Sequence, residues 1–192
     1  RCLIEEKQRY LKIQQEDETV YVAYFTINSI VGELDFPSSE IFYYQQQQFT
    51  FPIDTSMNVE IVANRKALST VRNKKKELKD LDNHAWQSDN ETSSNVAEAL
   101  DSVNELETSL DQSKESMYKL SYVVRVSAPD LDELKRRCNE VKDFYDDLSV
   151  KLVRPFGDML GLHEEFLPAS KRSMNDYIQY VTSDFLAGLG FG

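Results

Sequence analysis

The stretch MYKLSYVVRVSAPDLDELKRRCNEVKDFYDDL, residues 117–148, decides the fold class of this chain. Its first part, residues 117–129, is dense in β-branched and aromatic residues and predicts a strand. Asp130, with Glu133 three residues later, is the pattern that begins a helix. Apolar residues then recur on one face of that helix, at Leu131, Leu134, Cys138, Val141, Tyr145 and Leu148. A strand followed by an amphipathic helix predicts a sheet covered by helices.

Similar patterns lie on both sides of this stretch. Strands are predicted at residues 18–30, near 58–63 and within SVKLVRPFG, residues 149–157, where Pro155 ends the strand. Short helices are predicted from about Ser39 and over residues 158–165, and a last helix or loop over 175–188. The order is strand, helix, strand, helical hairpin, strand, helix, strand. It predicts a single α+β domain, residues 1–192, with a ferredoxin-like sheet-and-helix sandwich.

The helical hairpin is predicted over about residues 65–117. Residues 65–81 carry one apolar stripe and are basic, whereas residues 95–117 carry a heptad seam and are acidic. Asn95 and Glu98 form a candidate capping box at the start of the second arm, after a polar stretch that turns the chain. Opposite charge selects the pairing, and the apolar seam supplies the stability, so a charge at Leu106 should be costly if the seam is buried. We therefore expect a long antiparallel hairpin inserted into the domain.

Composition limits the classes of function. The 192 residues carry a formal net charge of −11, which argues against a general nucleic-acid-coating role. Cys2 and Cys138 are the only cysteines, which favours a reducing compartment over a disulfide scaffold. Spanning a bilayer takes about 18–20 consecutive apolar residues, and the chain has no such run. The first residue is Arg1, and the chain reads as cut at its front.

Two motifs invite a catalytic interpretation. GLGFG, residues 188–192, lacks the Lys-Ser/Thr pair of a phosphate loop and a helix after it, and is expected to be a loop or a truncated strand end. His163 with Glu164 and Glu165 falls short of a zinc ligand set, and is expected to be a surface histidine beside solvated carboxylates. No catalytic, cofactor-binding or metal site is predicted, although a metal hydrolase using His163 and Glu164 stays open as a distant alternative.

The predicted partner contacts lie on the hairpin. Trp86, with His84 beside it, lies near its tip, and a large aromatic residue at the end of a polar hairpin is typical of a docking site. The lysines Lys74, Lys75 and Lys76 form a basic run that could contact anionic lipid or nucleic acid. The acidic second arm supplies opposite charges, so a solvated basic face is the simpler interpretation of that run.

The C-terminal part adds a family resemblance. RPFGDMLGLHEEFLPASKRSMNDYIQYVTSDFLAGLGFG, residues 154–192, resembles the segment that leads into the motor domain of VirB-type conjugative type IV secretion ATPases, and most closely those on conjugative elements of Gram-positive bacteria. FPIDTSMNVEIVANRKALSTVRNKKKEL, residues 51–78, is similar to their N-terminal domain, where a strand runs into a long helical pair. The likeness covers most of the chain and is weakest before Phe36.

This resemblance implies a non-catalytic N-terminal domain for interaction and scaffolding. Its partners would be membrane proteins of the secretion channel and neighbouring copies in a homo-oligomer, at the cytoplasmic face of the membrane. Residues 156–192 would lead into a C-terminal ATPase domain beyond Gly192, which would bind ATP and Mg²⁺ and drive DNA transfer. Direct nucleic-acid contact is not expected for this domain.

The residues alone leave a second function open. A free-standing coiled-coil adaptor, binding a partner unrelated to secretion through the hairpin around Trp86, requires only the heptad seam and that tryptophan. The reading frame beyond Gly192 discriminates between the two functions.

Overall fold

A computed structural model describes residues 2–16, 18–30, 41–87, 94–113, 116–170 and 177–189. Only the backbone is described for a few of them, including residues 81–87 and 94–99. The chain divides into two compact units. Unit 1 comprises Arg1–Glu60 and Lys119–Gly192, and unit 2 comprises Ile61–Tyr118.

The helices and strands of the described residues are numbered in chain order. They are β1 Cys2–Lys7, β2 Tyr10–Gln15, β3 Glu18–Ile30, α1 Ile41–Gln48, β4 Ile53–Val62, α2 Asn64–Gln87, α3 Ser94–Ser113, β5 Met117–Ala128, α4 Leu131–Asp147, β6 Val150–Val153, α5 Met159–Phe166, β7 Gln179–Val181 and α6 Ser183–Gly188.

The strands form one sheet in the order β1-β2-β3-β5-β4. In addition, β6 pairs with β3 and β7 pairs with β5. The β1–β2, β2–β3, β3–β5 and β3–β6 pairs are antiparallel. The long strand β3 has three partners: β5 pairs with residues 21–26 on one edge, and β2 and β6 pair with residues 18–22 and 26–30 on the other. The open antiparallel sheet and its helices confirm the α+β class.

Helices cover both faces of the sheet, and alternation along the strands decides which side chains meet which helix. On one face Tyr24 of β3 and Val123 of β5 join a buried cluster with Met159 and Leu162 of α5. On the other face Tyr122 contacts Phe42 of α1 and Tyr145 of α4 through their rings. Burial on both faces explains why β5 is apolar at consecutive positions near Tyr122.

The start of α4 agrees with the sequence pattern. The Asp130 side chain accepts hydrogen bonds from the backbone N–H groups of Asp132 and Glu133, at 3.0 and 2.8 Å. The apolar stripe of α4 is buried at Leu134, Cys138, Val141 and Tyr145. Burial raises the pKa of the Cys138 thiol, partly offset by Arg154, whereas the Cys2 side chain is exposed.

Several boundaries differ from the sequence predictions. The hairpin of β1 and β2 and the short strand β7 were not predicted, and β4 begins five residues before the expected 58–63. The helix α2 continues past residue 81 to Gln87, and α3 begins at Ser94, so Asn95 lies inside the helix and not at its N-cap. The seam was extended too far as a helix, because Met117 is the first residue of β5. An α1 start before Ile41 lies outside the described residues.

Candidate interaction surfaces

The two helices of unit 2 pack against each other through an apolar seam. Val71 of α2 and Leu110 of α3 are buried in one cluster with Val62, Ala67 and Met117, flanked by Leu68, Val103 and Leu106. The Asn64 side chain, at the start of α2, donates to the Leu110 carbonyl near the end of α3, at 2.8 Å. The start of one helix therefore lies beside the end of the other, and the seam residues are among those at helical spacing in the sequence.

Ion pairs flank this seam as the charge pattern suggests. Glu107 of α3 accepts from Arg72 Nε at 2.9 Å and from Lys75 Nζ at 2.7 Å. These two hydrogen bonds, Lys75 first, lower the pKa of Glu107. Arg72 also lies 3.7 Å from Asp111. Because the pairs are on the surface, they contribute specificity of pairing more than stability.

The predicted contact lysines differ in what they touch. Lys75 pairs with Glu107 and is half-buried at the surface, and Lys74 pairs with Glu77 on its own helix at 2.9 Å. Lys76 is exposed on α2. The run is therefore not a uniform basic surface, because Lys75 is occupied within unit 2. Trp86 and His84 belong to the last turns of α2, and their side chains lie outside the described part of the structure.

A second cluster of polar side chains lies on the α5 face of the sheet in unit 1. The Tyr24 hydroxyl and His163 Nδ1 are 2.6 Å apart, and their rings meet edge to face. Burial raises the pKa of Tyr24 above its usual range, so the phenol stays protonated. Burial, followed by the charge of Arg125, lowers the pKa of His163, against the opposing effect of Glu164. These effects favour the neutral imidazole, and its tautomer decides which of the two side chains donates.

The carboxylates beside His163 correct a sequence prediction. Glu165 is not solvated: it is 1 % exposed, and its side chain accepts a short hydrogen bond from the Ser121 hydroxyl of β5. Glu164 is exposed as expected. Successive residues of a helix are rotated by about 100° around its axis, and on α5 this rotation takes Glu165 into the sheet and leaves Glu164 in solvent.

Arg125 completes this cluster. Its guanidinium lies 2.9 Å from Asp54 of β4 and 5.5 Å from the ring centre of Phe166. In the described residues no group of three or more His, Cys, Asp or Glu side chains is placed to hold a metal ion. The hydrogen bonds join sheet to helix, with Tyr24 protonated and His163 neutral, and this arrangement fixes α5 on the sheet.

The glycine-rich C-terminus is partly described. Gly188 is the last residue of α6 and is buried, so this glycine ends the last helix or loop that was expected over residues 175–188. The helix begins at the Thr182 cap, whose hydroxyl accepts from the Phe185 N–H at 3.5 Å. Gly190 and Gly192 lie outside the described residues.

The outer side of α5 and its flanks carry apolar side chains that the sequence analysis did not single out. Leu160 is 39 % exposed, Phe156 64 %, Leu167 48 % and Ile4 of β1 39 %. The consecutive apolar pair Met159–Leu160 was not a signal, because such pairs also occur in the buried stripe of an ordinary amphipathic helix. None of the described helices is long and apolar enough to cross a membrane.

Comparison with known proteins did not identify a family for this chain. Neither a scan against protein-family models nor a search of the curated proteins returned a match.

Proposed function

We propose that this chain is the N-terminal interaction domain of a VirB-type conjugative type IV secretion ATPase. In this proposal it docks the motor on membrane proteins of the channel and on neighbouring copies, at the inner face of the cell membrane. ATP and Mg²⁺ belong to a motor domain that follows Gly192 in the intact protein. The domain itself is non-catalytic and makes no direct contact with nucleic acid.

The strand order carries the proposal. Among β3, β4, β5 and β6 the spatial order is β6-β3-β5-β4, with α1 and α4 as the connections that return the chain to the sheet. We interpret this as a ferredoxin-like core, β-α-β-β-α-β, with β1 and β2 added at one side. The α2–α3 pair falls between β4 and β5, where the resemblance places a strand running into a long helical pair. We interpret that pair as a helical hairpin inserted into the core.

The C-terminal elements also support the proposal. The strand β6 ends at Val153, and α5, which contains Gly161, follows it. A strand end and then a glycine-containing helix is the order that the resemblance implies ahead of the motor. The small-residue run that comes next includes α6.

The first test concerns the motor. The encoding gene is read beyond Gly192, and ATP turnover is measured for the 192-residue chain and for the full product in parallel. We expect a phosphate-loop sequence downstream and turnover only by the full product, with its phosphate-loop Lys→Ala variant as the inactive control. A stop codon soon after Gly192, or turnover by the short chain, contradicts the proposal.

The second candidate function is the adaptor, and the compactness of unit 2 favours it. Trp86 is the only tryptophan, so its fluorescence reports docking near the end of α2 without labelling. A blue shift on adding a partner unrelated to secretion, with binding weakened in Trp86→Phe by a label-free assay and with no downstream motor sequence, supports the adaptor. An unshifted spectrum with bound channel proteins supports docking by another surface.

A further inference from the structure

The exposed apolar side chains on the outer side of α5 and next to this helix form one surface of unit 1. The Leu160 N–H donates to Glu6 of β1 at 2.9 Å, which brings the start of α5 against that strand. Ile4 lies two residues before Glu6 and therefore on the same face of β1. Its cross-strand partner on β2 is Ile13, which packs against the buried cluster under α5. The Gly157 N–H donates to the Gln8 carbonyl at 2.8 Å and places Phe156 beside the same hairpin. We call Ile4, Phe156, Leu160 and Leu167 the α5 ridge.

The core does not account for these side chains. Met159 and Leu162 already fill the space between α5 and the sheet, at 0 % and 1 % exposed. Leu160 and Leu167 are seven residues apart, about two helical turns, and lie on one side of the helix axis. Phe156 is held outward by a turn in which Gly157 has a φ of 85°, a conformation that favours glycine. Phenylalanine is enriched at protein interfaces, and contiguous exposed apolar patches mark interaction sites.

The charges around the ridge indicate the chemistry of its partner. Glu6 and Glu164 are exposed beside Leu160, and the whole chain has a net charge of −11. This potential attracts a basic partner and repels an anionic lipid surface or an acidic protein, including another copy of this chain. The ridge therefore fits a segment with apolar residues on one side and Lys or Arg on the other.

We propose that the α5 ridge binds a basic, amphipathic cytoplasmic segment that adjoins a transmembrane helix of a channel subunit. This inference rests on the proposed docking function and names its surface and partner chemistry. Cytoplasmic segments next to transmembrane helices carry an excess of Lys and Arg, which matches the acidic rim of the ridge. Apolar contacts with Phe156 and Leu160 supply the affinity, and Glu6 and Glu164 set the orientation and the salt dependence.

The test uses the 192-residue chain and synthetic peptides that cover the cytoplasmic segments of the channel membrane proteins encoded on the same element. Binding is measured by fluorescence anisotropy for the wild type, for Phe156→Ser/Leu160→Ser, and for the control Val59→Ser, whose 41 % exposure matches that of Leu160 but which lies on β4. We expect a basic peptide to bind, the double variant to bind at least tenfold more weakly, and Val59→Ser to bind like the wild type. Glu164→Lys should weaken binding at low salt and much less at high salt.

Other outcomes overturn the proposal in distinguishable ways. If channel peptides bind the wild type and the double variant equally, docking stands but not at this ridge. If no channel segment binds the wild type, the proposed docking function fails together with the ridge. Sedimentation that shows a wild-type dimer and a monomeric double variant assigns the ridge to a second copy. Ridge-dependent binding to anionic lipid vesicles without peptide binding assigns it to a membrane surface.

Discussion

The sheet of unit 1 and the helix pair of unit 2 keep their polar groups in opposite places. In unit 2 the interior is an apolar seam around Val71 and Leu110, and the charged partners of Glu107 lie at the surface. In unit 1 hydroxyl and carboxyl groups are buried with their partners, as for Tyr145 and Glu165. A seam tolerates changes in its rim, whereas a buried hydrogen-bond network is sensitive to the loss of one atom. Four predictions test this difference, in decreasing order of expected effect.

Leu110→Asp should have the largest effect, because it places a charge at a position that is 2 % exposed in the seam. We expect a loss of about 4 kcal/mol in the free energy of unfolding, larger than for the partly buried Leu106→Asp. Hydrogen exchange should show lost protection in α2 and α3 while α4 keeps its protection. The control is Asn104→Asp, an exposed position on the same helix. Unchanged exchange in α2 and α3 contradicts the buried seam.

Tyr145→Phe removes a single oxygen atom and should lower the free energy of unfolding by less than Leu110→Asp does. The Tyr145 hydroxyl donates to Gln45 Oε1 at 3.0 Å and lies 2.7 Å from the Tyr122 hydroxyl. Its removal leaves buried polar groups without this partner, at a cost of about 2 kcal/mol in urea unfolding. Tyr43→Phe is the matched control, because Tyr43 is 60 % exposed on α1. Equal stability of the two variants would show that the buried network contributes nothing.

The free energy of unfolding should depend on pH through the titration of His163. Its folded-state pKa is lowered mainly by burial and then by Arg125, so the unfolded chain takes up a proton near pH 6.5 before the folded chain does. Stability should therefore fall as the pH is lowered from about 6.5 through the folded-state pKa. Urea unfolding at a series of pH values should give a shallower dependence for His163→Gln. A His163→Gln variant that keeps the wild-type pH dependence would contradict this assignment.

Glu107→Gln should have the smallest effect. It removes the carboxylate charge from Arg72 and Lys75, both of which lie on the surface of the helix pair. We expect a slightly lower melting temperature at low salt and no difference from the wild type at about 1 M salt, where the pairs are screened. Glu105→Gln, an exposed change on the same helix, is the control. A large, salt-independent loss would place Glu107 in a buried network after all.

The sequence alone determined those features that depend on local periodicity and local charge. The strand–helix order around residues 117–148, the Asp130 cap and the seam residues of α2 and α3 follow from spacing along one chain. The hairpin of β1 and β2 was missed because half of its strand residues are polar and the apolar ones do not alternate strictly with them. This two-stranded edge gains its stability by pairing with β3 and by burying Leu11 in one cluster with Met159 and Leu162 of α5, which lie far along the chain.

The polar contacts and the α5 ridge were decided by the tertiary structure. Tyr24 meets His163 across 139 positions of sequence, and Ser121 meets Glu165 across 44. No local pattern distinguishes Glu165, buried under α5, from Glu164, exposed beside it, because the two differ only in the direction each takes from the helix. In the same way Met159 fills the core and Leu160 is left at the surface. Local spacing specifies which helices and strands form, and packing decides which of their side chains stay exposed for a partner.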